Sequence, residues 1–479
     1  MENAEVTRVG ELLAAENKVA AHSTVFRKEL GLRDLALTQI LFVIGLSWVG
    51  AAAKLGPAHV IFWLLAIAFF YVPSAAVVIS LNKLMPLEGG LYQWAKLGFN
   101  EALGFMVAWN LWLYVIANTS EAGLQLATNI AYAAGPSGAW IASNKWVITL
   151  ASVSVVGLLV LVSTIGLGVG KWVSNVGGMI MLTIFTVLIA LPFIGVLRGT
   201  IPHYTPLATA VPVVSLFSLN ILGKLGFGAL GGFEYVAILA GECRNPGRAI
   251  GRSVLIAAPA IAVMFIFGTS SVLAFIPMDR IDLIAPIPQV LSVGLAPFGL
   301  GAVIVPLVLV LMMTLRVAQA SVTFTGVTRL PMVAGWDHLL PQWVTKLHPR
   351  RKTPVNSIVL VGAITLALGL LSLIGVGNQE AFQLLFNASG LFYALTYLVM
   401  FGIPLFGLRH LAVRPPWWLR IAAGSGFAMT LLYVSLAVFP IITVANPMAF
   451  TIKVTAMIVI ANGAGVGVFL IGKKGQRAG

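Results

Sequence analysis

"GFGALGGFEYVAILAGECRNPGR" occupies residues 226–248 and closes an apolar run that begins near residue 212. It sets Gly226, Gly228, Gly231 and Gly232 ahead of a lone carboxylate, Glu234, and then a basic loop. Glycine lets a helix unwind, and unwinding frees N–H and C=O groups. In lipid such groups are tolerated only where they line a cavity or meet a ligand. The competing reading is close helix packing through small residues. A second stretch, "FVIGLSWVGAAAKLGP" (42–57), has the same character five spans earlier. Five is odd, so the two segments cross in opposite senses. That is the pattern of inverted repeats whose discontinuous helices form a mid-membrane site.

The rest of the chain fits this frame. Of 479 residues, 59% are hydrophobic and 9% charged, with a mean hydropathy of +0.98. Soluble chains carry about 25% charged residues, so this is an integral membrane protein. A spanning helix needs about 20 apolar residues. Twelve stretches qualify, near 35–53, 58–83, 98–134, 146–166, 172–197, 212–241, 252–276, 300–330, 355–376, 381–407, 417–441 and 448–472. They are too long and continuous for the alternating strands of a barrel. The predicted fold is all-α.

The net charge of +14 would point to nucleic acid in a soluble protein. Here it fixes orientation, because basic residues collect in cytoplasmic loops. With the N-terminus inside, the external loops keep only Lys145, Arg198 and Arg280. Twelve spans then leave both termini in the cytoplasm, in a cell inner (cytoplasmic) membrane. The expected division is a cytoplasmic segment at 1–34, a first repeat at 35–197, a second at 198–410, two further spans at 411–472 and a tail at 473–479. The first 34 residues have no cleavable leader pattern, and the single Cys243 excludes an internal disulfide.

Four ionisable residues fall inside predicted spans: Glu121, Lys224, Glu234 and Arg316. A charge at a helix centre costs about 2.5–3.5 kcal/mol on insertion scales, so each is a functional suspect. Glu234 can exchange a proton as a cavity fills and empties, or can stand as a neutral acid bonded to freed backbone. Glu121 shares a helical face with Asn118 and Gln125; it pairs with a substrate ammonium or with a basic neighbour. Lys224 and Arg316 are read as charge partners of these carboxylates, because an isolated buried charge is hard to sustain. The sharper alternative gives one of them an anionic substrate group.

Other signals are rejected. "GFGALGG" matches a dinucleotide-binding pattern but lacks the preceding strand. The six histidines are scattered without metal-ligand spacing. No nucleophile–base pair or phosphate loop is present, so neither enzyme chemistry nor a cofactor is expected.

Three stretches carry a family resemblance: "GGFEYVAILAGECRNPGR" with Asn245, Pro246 and Arg248, "MPLEGGLYQWAKLGFNEALGFMVAWNLWL" (85–113), and "TRLPMVAGWDHLLPQWVTKLHPRRKTPVNS" (328–357) with Arg329, Pro341, His348 and Pro354. Together they resemble the amino acid–polyamine–organocation (APC) superfamily of permeases. Within it, the span 1 glycines with Gly56-Pro57, and Pro73 with Glu88-Gly89-Gly90, are similar to bacterial glutamate/GABA-type antiporters, whereas "AWNLWL" and "LAGE" look closer to polyamine-type members.

The resemblance implies a five-plus-five inverted repeat with helices 1 and 6 broken. It implies a small-molecule substrate near the bilayer midplane, held by Gly45, Ser47, Trp48, Gly50 and Ala51 of span 1 and by Phe227, Gly228, Ala229, Phe233 and Glu234 of span 6, with Glu121 adding charge. A carboxylate would meet the amides around Gly50 to Ala52, and Glu234 would couple protons. The chain departs from the family where a gating aromatic is common, since Gly228 stands there; this predicts a roomier pocket or a different gate, Phe227 or Trp48. The expected function is secondary transport of amino acids or related amines. A channel and a transport-dead nutrient sensor are the alternatives.

Overall fold

The computed structural model describes residues 30–85, 90–165, 170–234, 246–299, 301–328, 330, 340–349, 353–407 and 415–478. Most of the N-terminal segment, Glu88, Gly89, Cys243, Asn245, Arg329 and the 350–352 basic run lie outside them.

Among the described residues the fold is helical, and ten helices are long and apolar enough to cross a membrane. Two further spans, the first and the sixth, are interrupted: the first is two short helices, and the described part of the sixth is one short helix ending at the break. Ten and two make the twelve read from the sequence. Span 1 consists of α1 (Leu32–Val43) and α2 (Trp48–Ala53). Then follow α3 (Gly56–Leu84), the short connecting α4 (Leu91–Gly98), α5 (Glu101–Ala134), α6 (Lys145–Ile165) and α7 (Asn175–Leu197). The first half of span 6 is α8 (Leu216–Ala229). Beyond it come α9 (Arg248–Phe275), the short α10 (Pro286–Phe298), α11 (Val303–Thr328), α12 (Val355–Ser372), α13 (Asn378–Gly407), α14 (Trp417–Leu436) and α15 (Pro447–Lys474).

Packing sorts the spans into groups. Span 1 lies against α9, and α3 against α8 and α9, which brings spans 1, 2, 6 and 7 together. Helices α5, α6, α11 and α12, which are spans 3, 4, 8 and 9, form a second set. Span 5 (α7) touches spans 1, 7 and 8, and span 10 (α13) packs along α5 and α14. Each four-helix set contains both n and n+5, the grouping that a five-plus-five repeat generates. The outer surface is apolar, as lipid contact requires. Exposed Trp146, Trp417 and Trp418 sit at span ends, where amphipathic rings anchor at the membrane–water boundary.

Helix α10 is too short to span and was not anticipated. Asp282, just before it, organises the approach: its carboxylate accepts from the amides of Ile284 (2.8 Å) and Ala285 (3.3 Å), from Tyr132 Oη at the end of α5 (2.8 Å), and from Gln379 Nε2 at the start of α13 (2.9 Å).

Candidate binding site at the paired helix breaks

Helix α1 stops at Val43, and the chain turns through Gly45, Leu46 and Ser47 before α2 begins. Trp48 N–H donates to Gly45 O (3.2 Å), while the amides of Gly50 and Ala51 both donate to Ser47 O (3.2 Å each). The amides of Gly45, Leu46, Ser47 and Val49 have no main-chain acceptor among the described residues. Two of the amides expected to meet an anion, those of Gly50 and Ala51, are therefore already engaged by Ser47 O. The second helix starts earlier than the sequence implied, so its free first-turn donors lie nearer the break. Gly50 instead gives close packing, since a Cβ there would come 2.9 Å from Pro286 Cβ.

Span 6 opens in two steps. The helix first widens to a π-helical turn over Lys224–Ala229, a deviation that recurs at functional sites. The chain then leaves the helix after Leu230, with Gly231 N–H donating to Phe227 O (3.0 Å). Gly232 takes a φ of +128°, a conformation open to glycine and strained for other residues. No main-chain N–H among the described residues reaches the carbonyls of Gly228 or Leu230 outside the helical turns. Both spans are thus broken, and at each joint peptide groups lack a main-chain partner among the described residues.

The Trp48 indole connects the two joints. A Cβ on Gly228 would lie 2.3 Å from Trp48 Cη2, and one on Gly45 would lie 2.5 Å from its Cδ1. The ring sits between these two glycines, against Phe386 with centroids 4.6 Å apart. Of the two alternatives at Gly228, a roomier pocket or a different aromatic at Phe227 or Trp48, the geometry fits Trp48. Span 1 supplies the aromatic ring that the span 6 position lacks.

A cavity of about 130 Å³ lies where the breaks meet. Of the residues singled out in the sequence, Gly45, Ser47, Trp48, Phe227, Gly228 and Arg316 line it, as do Asn118 and Gln125. Gly50, Ala51, Ala229, Phe233, Glu234, Glu121 and Lys224 do not.

Glu234 is buried one layer back, where its two carboxylate oxygens accept from the hydroxyls of Tyr393 and Tyr397. Tyr397 Oη also accepts from Gly232 N–H (2.7 Å), tying the span 6 joint to α13. Phe233 stacks on Tyr71 at 4.7 Å. Glu121 is fully buried and receives Arg316 Nη2 (2.8 Å) and Gln125 Nε2 (2.9 Å), both on Oε1. Its Oε2 is buried without a hydrogen-bond partner among the described residues. Lys224 meets no carboxylate among the described residues. Its ammonium donates to Asn387 Oδ1 (2.7 Å) and lies 5.7 Å from the Tyr433 ring centre.

Span 10 was expected at 381–407, but its part in the site was missed by the sequence reading. It supplies Phe386 and Tyr393 to the cavity, Asn387 to Lys224, and Tyr393 and Tyr397 to Glu234. The only trace of this in the sequence was Asn387 and two tyrosines four apart within an apolar span.

The amino acid permease family matches residues 34–462. Two oppositely placed broken spans, a cavity between them and this match define a multi-pass membrane permease. The chain belongs to the amino acid permease family, within the APC superfamily, a group of permeases and not of enzymes. It is 22% identical to a probable agmatine/putrescine antiporter of Lactococcus lactis, over 84% of each chain. It is 24% identical to a branched-chain amino acid permease of Bacillus subtilis, over 75% of this chain and 79% of that one. An uncharacterized transporter of Legionella pneumophila is 22% identical, over 83% of this chain and 85% of its own.

Proposed function

We propose that the protein is a secondary active transporter of amino acids or related amines, working by alternating access as an exchanger or proton-linked carrier. The observation that carries this reading is the convergence of two broken spans on one cavity, each offering peptide groups that no helix consumes. Donors at Gly45 to Ser47 suit an anionic end of the cargo, and the carbonyl of the cavity-lining Gly228 suits an ammonium. Relatives named for amines and for amino acids support both classes.

In this reading residues 35–197 and 198–410 are the two inverted repeats, supported by the n and n+5 grouping of spans. Both termini, 1–34 and 473–479, face the cytoplasm, supported by the bias of Lys and Arg toward those loops. The substrate contacts are Gly45, Ser47, Trp48, Phe227 and Gly228. Glu234 serves as the proton-linked group, reaching the cavity through Tyr393. Alternating access is rocking of the set containing spans 1, 2, 6 and 7 against the set containing spans 3, 4, 8 and 9.

Reconstituted liposomes provide the test. Loaded with unlabelled amino acids or polyamines and offered labelled ones, with and without a pH gradient, they should show saturable counterflow. Glu234→Gln should abolish the response to the gradient. Conductance that never saturates identifies a channel, binding without movement identifies a sensor, and either result overturns the reading.

A further inference from the structure

We propose that Arg316 is an anion-recognition group of the cavity, held in place by Glu121, and that it makes the carrier select cargo bearing a carboxylate over bare amines. The inference rests on the transport reading above and assigns the substrate class of the same site.

Among the described lining residues, Arg316 is the only charged one. The carboxylates nearby are turned away. Glu121 has 0% side-chain exposure against 28% for Arg316. Its Oε1 is taken by Arg316 and Gln125, and its Oε2 is enclosed. Glu234 lies behind the hydroxyls of Tyr393 and Tyr397, and Lys224 is buried against Asn387.

The guanidinium is only partly engaged. It carries five N–H donors in a planar fork, and its bond to Glu121 runs from Nη2 to a single oxygen. A doubly bonded, fork-to-fork pair would consume the planar edge; this one leaves donors over. Gln319, one turn further along α11, donates to Leu41 O at the end of α1. Arg316 is thereby held on the helix face turned toward the span 1 joint, where the free amides of Gly45, Leu46 and Ser47 lie. Charged and neutral donors face one cavity, a combination suited to a carboxylate.

Charge balance favours the same class. The charge the described lining presents is the Arg316 guanidinium, with Glu121 turned away behind it. A zwitterionic amino acid adds no net charge, and its ammonium finds carbonyl acceptors at the span 6 joint. A diamine brings two positive charges beside a guanidinium with no exposed carboxylate to meet them. Dehydrating unpaired charges is costly.

The test uses probes matched in all but the α-carboxylate: lysine with cadaverine, arginine with agmatine, ornithine with putrescine, and leucine with isoamylamine. Thermal stabilisation of the purified protein and counterflow in liposomes are read for each member. The acid member of a pair should stabilise and exchange, with the amine weaker by at least about tenfold. Arg316→Gln alone strands the buried Glu121, so the decisive variant is Arg316→Gln with Glu121→Gln. It should lose the acid-over-amine preference, whereas a purely structural role would weaken both members alike. If no carboxylate-bearing probe stabilises the protein, or the amines match or exceed their parent acids, the inference is overturned, whether or not transport is seen. Selective binding of the acids without any exchange would overturn the transport reading and leave this one standing.

Discussion

Gly228→Ala tests the meeting of the two joints with the smallest possible change. The added Cβ would lie 2.3 Å from Trp48 Cη2 and 2.7 Å from Cζ2. Close contact becomes ordinary at 3.4 Å, so the ring edge must retreat by 3.4 − 2.3 = 1.1 Å. Gly45 presses one side of the indole and Phe386 packs against it, so the ring yields toward the cavity it lines. Overpacking of this kind costs about 1–3 kcal/mol. That cost corresponds to roughly 5- to 150-fold in an equilibrium constant. The expected result is a KM for counterflow raised within that range, with a lowered melting temperature in detergent. Adding Trp48→Phe shortens the ring and should restore most of both. Wild-type KM and melting temperature in Gly228→Ala, or a double variant no better than the single, would refute the placement of the indole between the two glycines.

Other outcomes follow from contacts further back. Asn387→Leu strands the Lys224 ammonium and should destabilise by about 1–3 kcal/mol; Lys224→Met in the same chain should recover stability, as melting curves will show, and equal stability of all three proteins would contradict the pairing. Tyr397→Phe removes one donor to Glu234 and the acceptor of Gly232 N–H, and should slow counterflow by about tenfold through loss of one charge-linked hydrogen bond while folding is retained. Gly123→Ala would bring a Cβ 1.9 Å from Ser152 Oγ and 2.5 Å from Ser152 Cα. Spans 3 and 4 must then separate, so yield of folded protein should fall, and Ser152→Ala should not restore it because the main chain still clashes.

The architecture was legible because lipid leaves few options. Runs of about 20 apolar residues can only be spans, and glycine clusters at 45–50 and 226–232 marked the two that break. What stayed hidden depended on partners far apart in the chain. The start of α2 at Trp48, and not at Gly50, is set by local hydrogen bonding that spacing does not encode. That Trp48 would fill the space over Gly228 needed the three-dimensional approach of residues 180 positions apart. Arg316 and Glu121 were each suspicious in the sequence, yet their pairing across spans 3 and 8 was one of several possibilities. The role of span 10 in the site escaped notice because two tyrosines in an apolar helix look like ordinary membrane aromatics.

The placement of Glu234 behind Tyr393 has a consequence for how ions and cargo would communicate. The phenol that faces the cavity also holds the carboxylate, so the partition between them is a single aromatic ring. If Glu234 is the proton-linked group proposed above, an acid screened in this way does not compete with the passenger for the same contacts, and passenger concentration does not titrate it directly. Messages must travel as tilts of one stiff plate, which leaves the chemistry of the passenger free to vary while the sensing apparatus stays the same.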